Sequence, residues 1–246
     1  MRASTLLSLA GIVVAVLAWH AVVALGWISG YIVPPPLEVW LAGVKLVGDG
    51  SLLPAFLLTL GLTLAAIAIA GAVGIVCGWL LYRHRILGLA YETWLGALFS
   101  APLILFYPIF MVVFGRNPSA IVAMGAMASL VPVILKTREG LLGVRPVLLS
   151  VARSFNASES QVTRKVLIPA ALPTLFTGLR LGLIYAMINV VAMEYLANFG
   201  GLGFLVGELY DRFDIPGMYA AALFVIVMSV IVFWGAERLE AWFQKV

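Results

Sequence analysis

The sequence predicts an all-α, polytopic membrane protein, and three observations lead there. Hydrophobic residues make up 63% of the 246 positions and charged residues only 11%, where a soluble domain carries roughly a quarter charged residues. The mean hydropathy is +1.11. The apolar residues come in long unbroken runs, not in the alternating stretches of about ten residues that mark an outer-membrane barrel. A segment crossing lipid must pair its own backbone groups, which leaves the helix. At about 20 apolar residues per crossing, the chain has room for about six spans in a single transmembrane domain over residues 1–246.

Runs bounded by charges or prolines give the six candidates: about Thr5 to Ile28, Pro54 to Tyr82, Ile86 to Phe114, Pro118 to Leu135, Leu172 to Leu196 and Met218 to Trp234. The first follows Arg2 and is too long for the apolar core of a secretory signal, so it reads as an uncleaved span. Cys77 is the only cysteine, which excludes an internal disulfide and reads as a small packing residue. Pro102, Pro108 and Pro132 are candidates for kinks in the spans. Trp19, Trp27, Trp94, Trp234 and Trp242 read as interface belts and packing. His20 falls near the end of the first span, and Glu92 near Arg83 and Arg85, where interfacial pairing is expected.

Orientation follows from Lys and Arg in the loops. With a cytoplasmic amino terminus, the inner side holds Arg2, Arg83, Arg85, Lys136, Arg138, Arg145, Arg153, Arg164, Lys165, Arg180, Arg238 and Lys245, and the outer side only Lys45, Arg116 and Arg212. Both termini are then expected inside the cell. The net charge of +4 is a topology signal and gives no reason to invoke nucleic acid. On the outer side, "SGYIVPPPLEVWLAGVKLVGDG" predicts an extended turn and a short amphipathic helix. "NFGGLGFLVGELYDRFDIPG" is too rich in glycine and charge for an ordinary span and predicts a re-entrant or interfacial segment.

The inner side carries the most polar run, "SFNASESQVTRKVLIPAALP", Ser154 to Pro173. Ser150 to Phe155 is helix-compatible, and Asn156 tolerates the left-handed conformation that ends a helix. Ser158 with Gln161 three residues later fits a capping box. Pro169 and Pro173 bound the next segment. The pattern predicts two short helices meeting at an angle.

These residues resemble a family signature. Membrane permeases of binding-protein-dependent importers of the ATP-binding-cassette (ABC) class carry a cytoplasmic motif of Glu-Ala-Ala, three residues, Gly, nine residues, Ile, one residue, Leu-Pro. Here it runs from Ser150 to Pro169: Ala152, the spacing and Pro169 match, Val166 and Ile168 are conservative, and Ser150, Val151 and Asn156 replace Glu, Ala and Gly. "VPPPLEV", "TREGLLGVRP", "VLIPAALPTLFTGLRLGL" and "VVAMEYLANFGGLGFLV" are similar to the permease subgroup for nitrate, sulfonates, taurine and bicarbonate, whose relatives import thiamine-pyrimidine precursors and other small organics. The subgroup usually has Arg where Gly61 stands. The resemblance covers about residues 31–240, with a core of about 54–240 and a cytoplasmic loop of about 136–169.

The resemblance implies a type I importer fold in a bacterial inner membrane. It implies a homodimer of permeases, two cytoplasmic ATPase subunits that bind ATP and Mg, and an extracytoplasmic binding protein that delivers substrate. The sequence contains no G-x-x-x-x-G-K-[ST] phosphate loop, so this chain cannot itself cradle ATP and is expected to be a transport subunit, not an enzyme. The resemblance makes the polar run a coupling helix, with Ala152, Phe155, Asn156, Ala157, Ser158 and Val162 forming and packing the bend and Arg153, Arg164 and Lys165 as rim charges.

For the path, the fifth candidate span is the most informative. Counting from Leu172 at about 1.5 Å per residue puts Tyr185 at about 20 Å, Asn189 at about 25 Å and Glu194 at about 33 Å. Tyr185 and Asn189 share a face, and Glu194 shares a nearly opposite one with Asn198. Glu194 is a candidate gate or binding-protein contact, or a solvated rim residue. Tyr185 and Asn189 are candidate pathway or interhelical groups, and Gly200, Gly201 and Gly203 candidate shapers of an outer gate. A stand-alone secondary carrier would often show inverted repeats, and no internal symmetry is evident. An intramembrane hydrolase would need a motif such as H-E-x-x-H or G-x-S-x-G, and neither occurs.

Overall fold

The computed structural model describes residues 2–243, without the side chains of residues 2–6, 8, 9, 242 and 243. Lys245 therefore lies outside the described residues, as do the side chains of Arg2, Thr5 and Trp242. The helices are α1 (Arg2–Ala24), α2 (Pro36–Gly48), α3 (Leu52–Arg83), α4 (Arg85–Ser100), α5 (Tyr107–Phe114), α6 (Pro118–Leu142), α7 (Pro146–Ser154), α8 (Glu159–Val162), α9 (Ile168–Ala197), α10 (Gly201–Asp211) and α11 (Ile215–Phe243). No strand occurs among the described residues.

Among the described residues, four helical segments are long and apolar enough to cross a membrane: α3, α6, the continuous rod Glu159–Ala197, and Ile215–Ala241 of α11. The candidate span Ile86 to Phe114 is not one straight helix. It is α4 and α5 joined with a bend of 82°. Pro102 supplies the cause: the residue before a proline is driven out of the helical region, and Ala101 is extended at φ −72°, ψ 138°. Of the other prolines, Pro108 opens α5, where its missing N–H costs nothing, and Pro132 is buried inside α6 without ending it. The first candidate span falls on α1, a helix of 23 residues.

The core is formed by α3, α6 and α9, packed on one another through small residues. Lipid offers no hydrophobic gain for bringing such helices together, so close backbone approach supplies the dispersion energy. Gly74 of α3 shows how close: a Cβ there would lie 2.7 Å from Val133 Cγ1 of α6. Overpacking of this kind costs about 1–3 kcal/mol.

Ion pairs from two arginines, Arg138 and Arg180, fasten the outer helices to this core. Arg138 of α6, only 6% exposed, meets Glu92 of α4 at 2.7 Å. Glu92 thus pairs with Arg138, not with Arg83 or Arg85, because α4 folds back along α6. Arg180 of α9 reaches Glu240 at 3.2 Å and Glu237 at 3.7 Å on α11. Trp19 packs on Tyr219 at 6.5 Å between ring centres, and His20 is exposed.

Candidate functional site

The ends of α9 carry the two clusters of interest. At its start lies the bent helix pair. Asn156 takes φ 54°, and two bonds close the end of α7 around it: Asn156 N–H to Arg153 O at 2.9 Å and Ala157 N–H to Ala152 O at 3.2 Å. This pairing is the Schellman motif, with Asn in the position glycine usually takes. One residue later the capping box forms: Gln161 N–H donates to Ser158 Oγ at 3.3 Å, and Ser158 N–H donates to Gln161 Oε1 at 2.9 Å. A π turn, Thr163–Leu167, then runs into α9.

The loop presents a mixed surface. Phe155 is 82% exposed, and Val147, Leu148 and Val151 of α7 are exposed on the same short helix. Arg164 and Lys165 are exposed, Ala152 and Ala157 half-buried. Arg153 holds Glu159 at 3.5 Å. Val162 points the other way and is buried, so its packing is within this chain. Much of the stretch 136–169 is regular helix, since α6 itself continues to Leu142.

At the far end of α9, Glu194 is buried completely and is not a solvated rim residue. Its Oε2 accepts from Thr59 Oγ1 of α3 at 2.8 Å and from the Gly203 N–H at 3.0 Å. Thr59 Oγ1 in turn accepts from the Leu202 N–H at 2.8 Å. Two orphan donors of the first turn of α10 are thereby satisfied by side chains of two other helices. The hydroxyl has one proton, and Ala55 O at 3.1 Å is its second possible acceptor. Glu194 Oε1 is buried without a hydrogen-bond partner.

Glycine is obligatory beside this knot. Gly200 and Gly201 have φ 52° and 87°, values that L side chains avoid, and a Cβ on Gly201 would collide with the Glu194 carboxyl. Gly203 is as tightly placed against Val191 O. Asn198 ends α9 in the left-handed conformation, φ 53°, and its carbonyl accepts from Arg116. Tyr185 and Asn189 lie deeper: Asn189 Nδ2 donates to Tyr185 O at 2.9 Å, and the Tyr185 ring lies 4.7 Å from that of Phe99 at the end of α4. Glu194 is brought together with Gly201 and Gly203, whereas Tyr185 meets the broken helix at Phe99 and Asn189 bonds back to Tyr185 within α9.

The sequence did not single out Thr59, and it offered Arg116 only as an outer-side charge. A signal for Thr59 lies in "LLTLGLTL", where Thr59 and Thr63 are the hydroxyl residues of an otherwise aliphatic stretch, and both are fully buried.

An apolar helical bundle with one broken span and short helices capping both ends of its longest rod is a polytopic membrane protein. Comparison refines that class: the chain belongs to the family of binding-protein-dependent transport system inner membrane components, which matches residues 70–245. A probable ABC transporter permease of Brucella abortus is 25% identical over 243 residues, covering 97% of this chain and 96% of the relative. The formylaminopyrimidine transport permease of Halalkalibacterium halodurans is 28% identical over 215 residues, covering 85% and 84%. A putative aliphatic sulfonates transport permease of Bacillus subtilis is 26% identical over 213 residues, covering 87% and 76%. Among solved structures, the methionine ABC transporter MetNI in an inward facing form matches with TM-score 0.68 at 20% identity, over 78% of this chain and 96% of its own. The chain is an ABC importer permease.

Proposed function

We propose that this permease works as a homodimer with two cytoplasmic ATPase subunits, which hold ATP and Mg, and with an extracytoplasmic binding protein. The start of α9 faces the cytoplasm, and both termini lie on that side. The observation that carries this reading is the doubly capped loop around Asn156. Its rigid bend displays Phe155 and an apolar α7 face beside Arg164 and Lys165, as a docking element for a partner protein requires. The bias of Lys and Arg toward that side supports the orientation.

The knot of Glu194, Thr59 and the first turn of α10 then forms the closed outer gate, and Tyr185 and Asn189 line the path with the break at Ala101. Nitrate, sulfonates, taurine, bicarbonate and small organic or vitamin precursors are the solute classes, in keeping with the sulfonate, bicarbonate and formylaminopyrimidine permeases among the relatives. Calorimetry on the binding protein encoded beside it identifies the solute.

Co-purification tests the assembly. Ala157→Arg or Ser158→Lys is expected to detach or uncouple the ATPase subunit while membrane insertion stays normal. Retained assembly and transport would sink the coupling assignment. A stand-alone carrier would bring down no ATPase from the wild-type membrane at all.

A further inference from the structure

The amino-terminal third holds a helix whose surface the importer reading does not use. The family match begins at residue 70, after α2. That helix is 13 residues long, about 20 Å at 1.5 Å per residue, too short to cross a bilayer. Its buried residues Val39, Gly43 and Leu46 form one face. Gly43 lies against Phe224 and Ala220 of α11. Val39 and Leu46 share a cluster with Leu205 and Leu209 of α10, the proposed gate helix.

The rest of the surface divides sharply. Leu37, Trp40, Leu41, Val44 and Val47 are between 54% and 70% exposed. At 3.6 residues per turn they span an arc of about 120°. Glu38 and Lys45 are also exposed, and on the same wheel they share the strip between the apolar arc and the protein face. Beyond the last turn, Asp49 is exposed. A hydrogen bond from the Ser51 side chain, then one from the Ser51 N–H, hold its carboxyl below the usual range, which suits an ionised group in water. A helix with one face on protein, one charged edge and one wide aliphatic and aromatic arc matches a helix lying in the lipid interface.

We infer that α2 is seated in the outer leaflet of the bilayer through Leu37, Trp40, Leu41, Val44 and Val47, and that it sets the depth of the gate helix α10. The apolar arc continues the lipid-facing surface of α11, where Leu223, Ile226, Val227 and Val230 are exposed. A soluble partner that docks and leaves would return this arc to water at every cycle, a cost that lipid avoids. The link from α2 to gating rests on the importer reading; the lipid seat does not.

The test uses single cysteines at Leu41, Val44 and Asp49 on a Cys77→Ala background, in reconstituted bilayers opened so that a charged maleimide reaches both faces. Leu41→Cys and Val44→Cys replace exposed side chains and leave the packed face intact. Both are expected to label about tenfold more slowly than Asp49→Cys, the occupancy cost of lifting a seated cysteine side chain and the apolar surface beside it into water. A bimane on either site should be quenched by brominated lipid and not by aqueous iodide. Labelling as fast as at Asp49 overturns the lipid seat, as does protection that appears only when binding protein is added. Disulfide formation between two copies at Val44→Cys overturns it in favour of a second permease. The gating arm is separate: Leu41→Asp should lower uptake while the ATPase subunit stays bound. Unchanged uptake with a confirmed lipid seat refutes the control of α10 alone, and loss of ATPase binding in the wild type refutes the importer reading alone.

Discussion

Replacing Thr59 by valine removes one hydroxyl from the knot and nearly preserves shape. The Leu202 N–H, from which Thr59 accepts at 2.8 Å, then has no partner, while Glu194 Oε2 loses one donor at 2.8 Å and keeps the Gly203 N–H at 3.0 Å. The Leu202 N–H is buried, and an unsatisfied buried polar group costs about 1–3 kcal/mol. Docking of α10 should therefore weaken by about 1–3 kcal/mol, of which the lower bound is about fivefold in the opening equilibrium. Thr59→Ser keeps the hydroxyl and loses one methyl, a cost of about 0.5–1.5 kcal/mol. Hydrogen exchange at the amides of Leu202 and Gly203 reads the difference directly. Exchange should rise about fivefold or more in the valine variant and less in the serine variant. Unchanged exchange in the valine variant, or equal exchange in the two, would refute the knot as the fastening of α10.

Glu194→Gln should reduce uptake more than assembly, because the amide must now place its oxygen toward both Thr59 and Gly203; uptake equal to wild type would demote the residue to packing. Gly201→Ala puts a Cβ into the Glu194 carboxyl at φ 87°, at a strain cost of about 1–3 kcal/mol. Gly61→Ala meets nothing within 4 Å and should be neutral or stabilising by up to about 1 kcal/mol. Equal thermal unfolding of the two alanine variants would contradict the placement of Gly201. Ser158→Ala loses the cap of α8, about 1 kcal/mol, and should lower coupling efficiency measured as solute imported per ATP. Glu92→Ala should destabilise by more than the loss of an exposed ion pair in the same melting assay, since it leaves the Arg138 guanidinium, 7% exposed, without its counter-charge, whereas the glutamate side chain is 54% exposed.

What could be read from the sequence was what depends on near neighbours. The spans follow from run length, the capping box from Ser158 and Gln161 three residues apart, and the bend from the backbone tolerance of Asn156. Pro102 announced the break, but not that it would turn the chain by 82°, because the angle is decided by what α4 and α5 pack against. The knot was out of reach: Thr59 and Glu194 stand 135 positions apart, and nothing local pairs one hydroxyl among leucines with one carboxyl. Val162 shows the same limit at the other end. Its neighbours in sequence are polar, yet the fold turns it inward.

The rod Glu159–Ala197 is 39 residues without interruption, about 58 Å at 1.5 Å per residue. Its first residue sits in the capped bend and its last precedes the turn onto α10. A hydrogen-bonded helix of this length has little axial give, so the two ends cannot keep separate time. Sliding or rotating one end is felt at the other as the same event, with no relay of side chains in between. The permitted compliance is confined to the π turn Thr163–Leu167 and to Pro173, where the backbone ladder is already irregular. Both lie near the bend, which leaves the stretch from Pro173 to the knot as a single stiff piece. Tuning the synchrony of the two sites would therefore be a matter of those few residues near the bend, and not of the path that lies between.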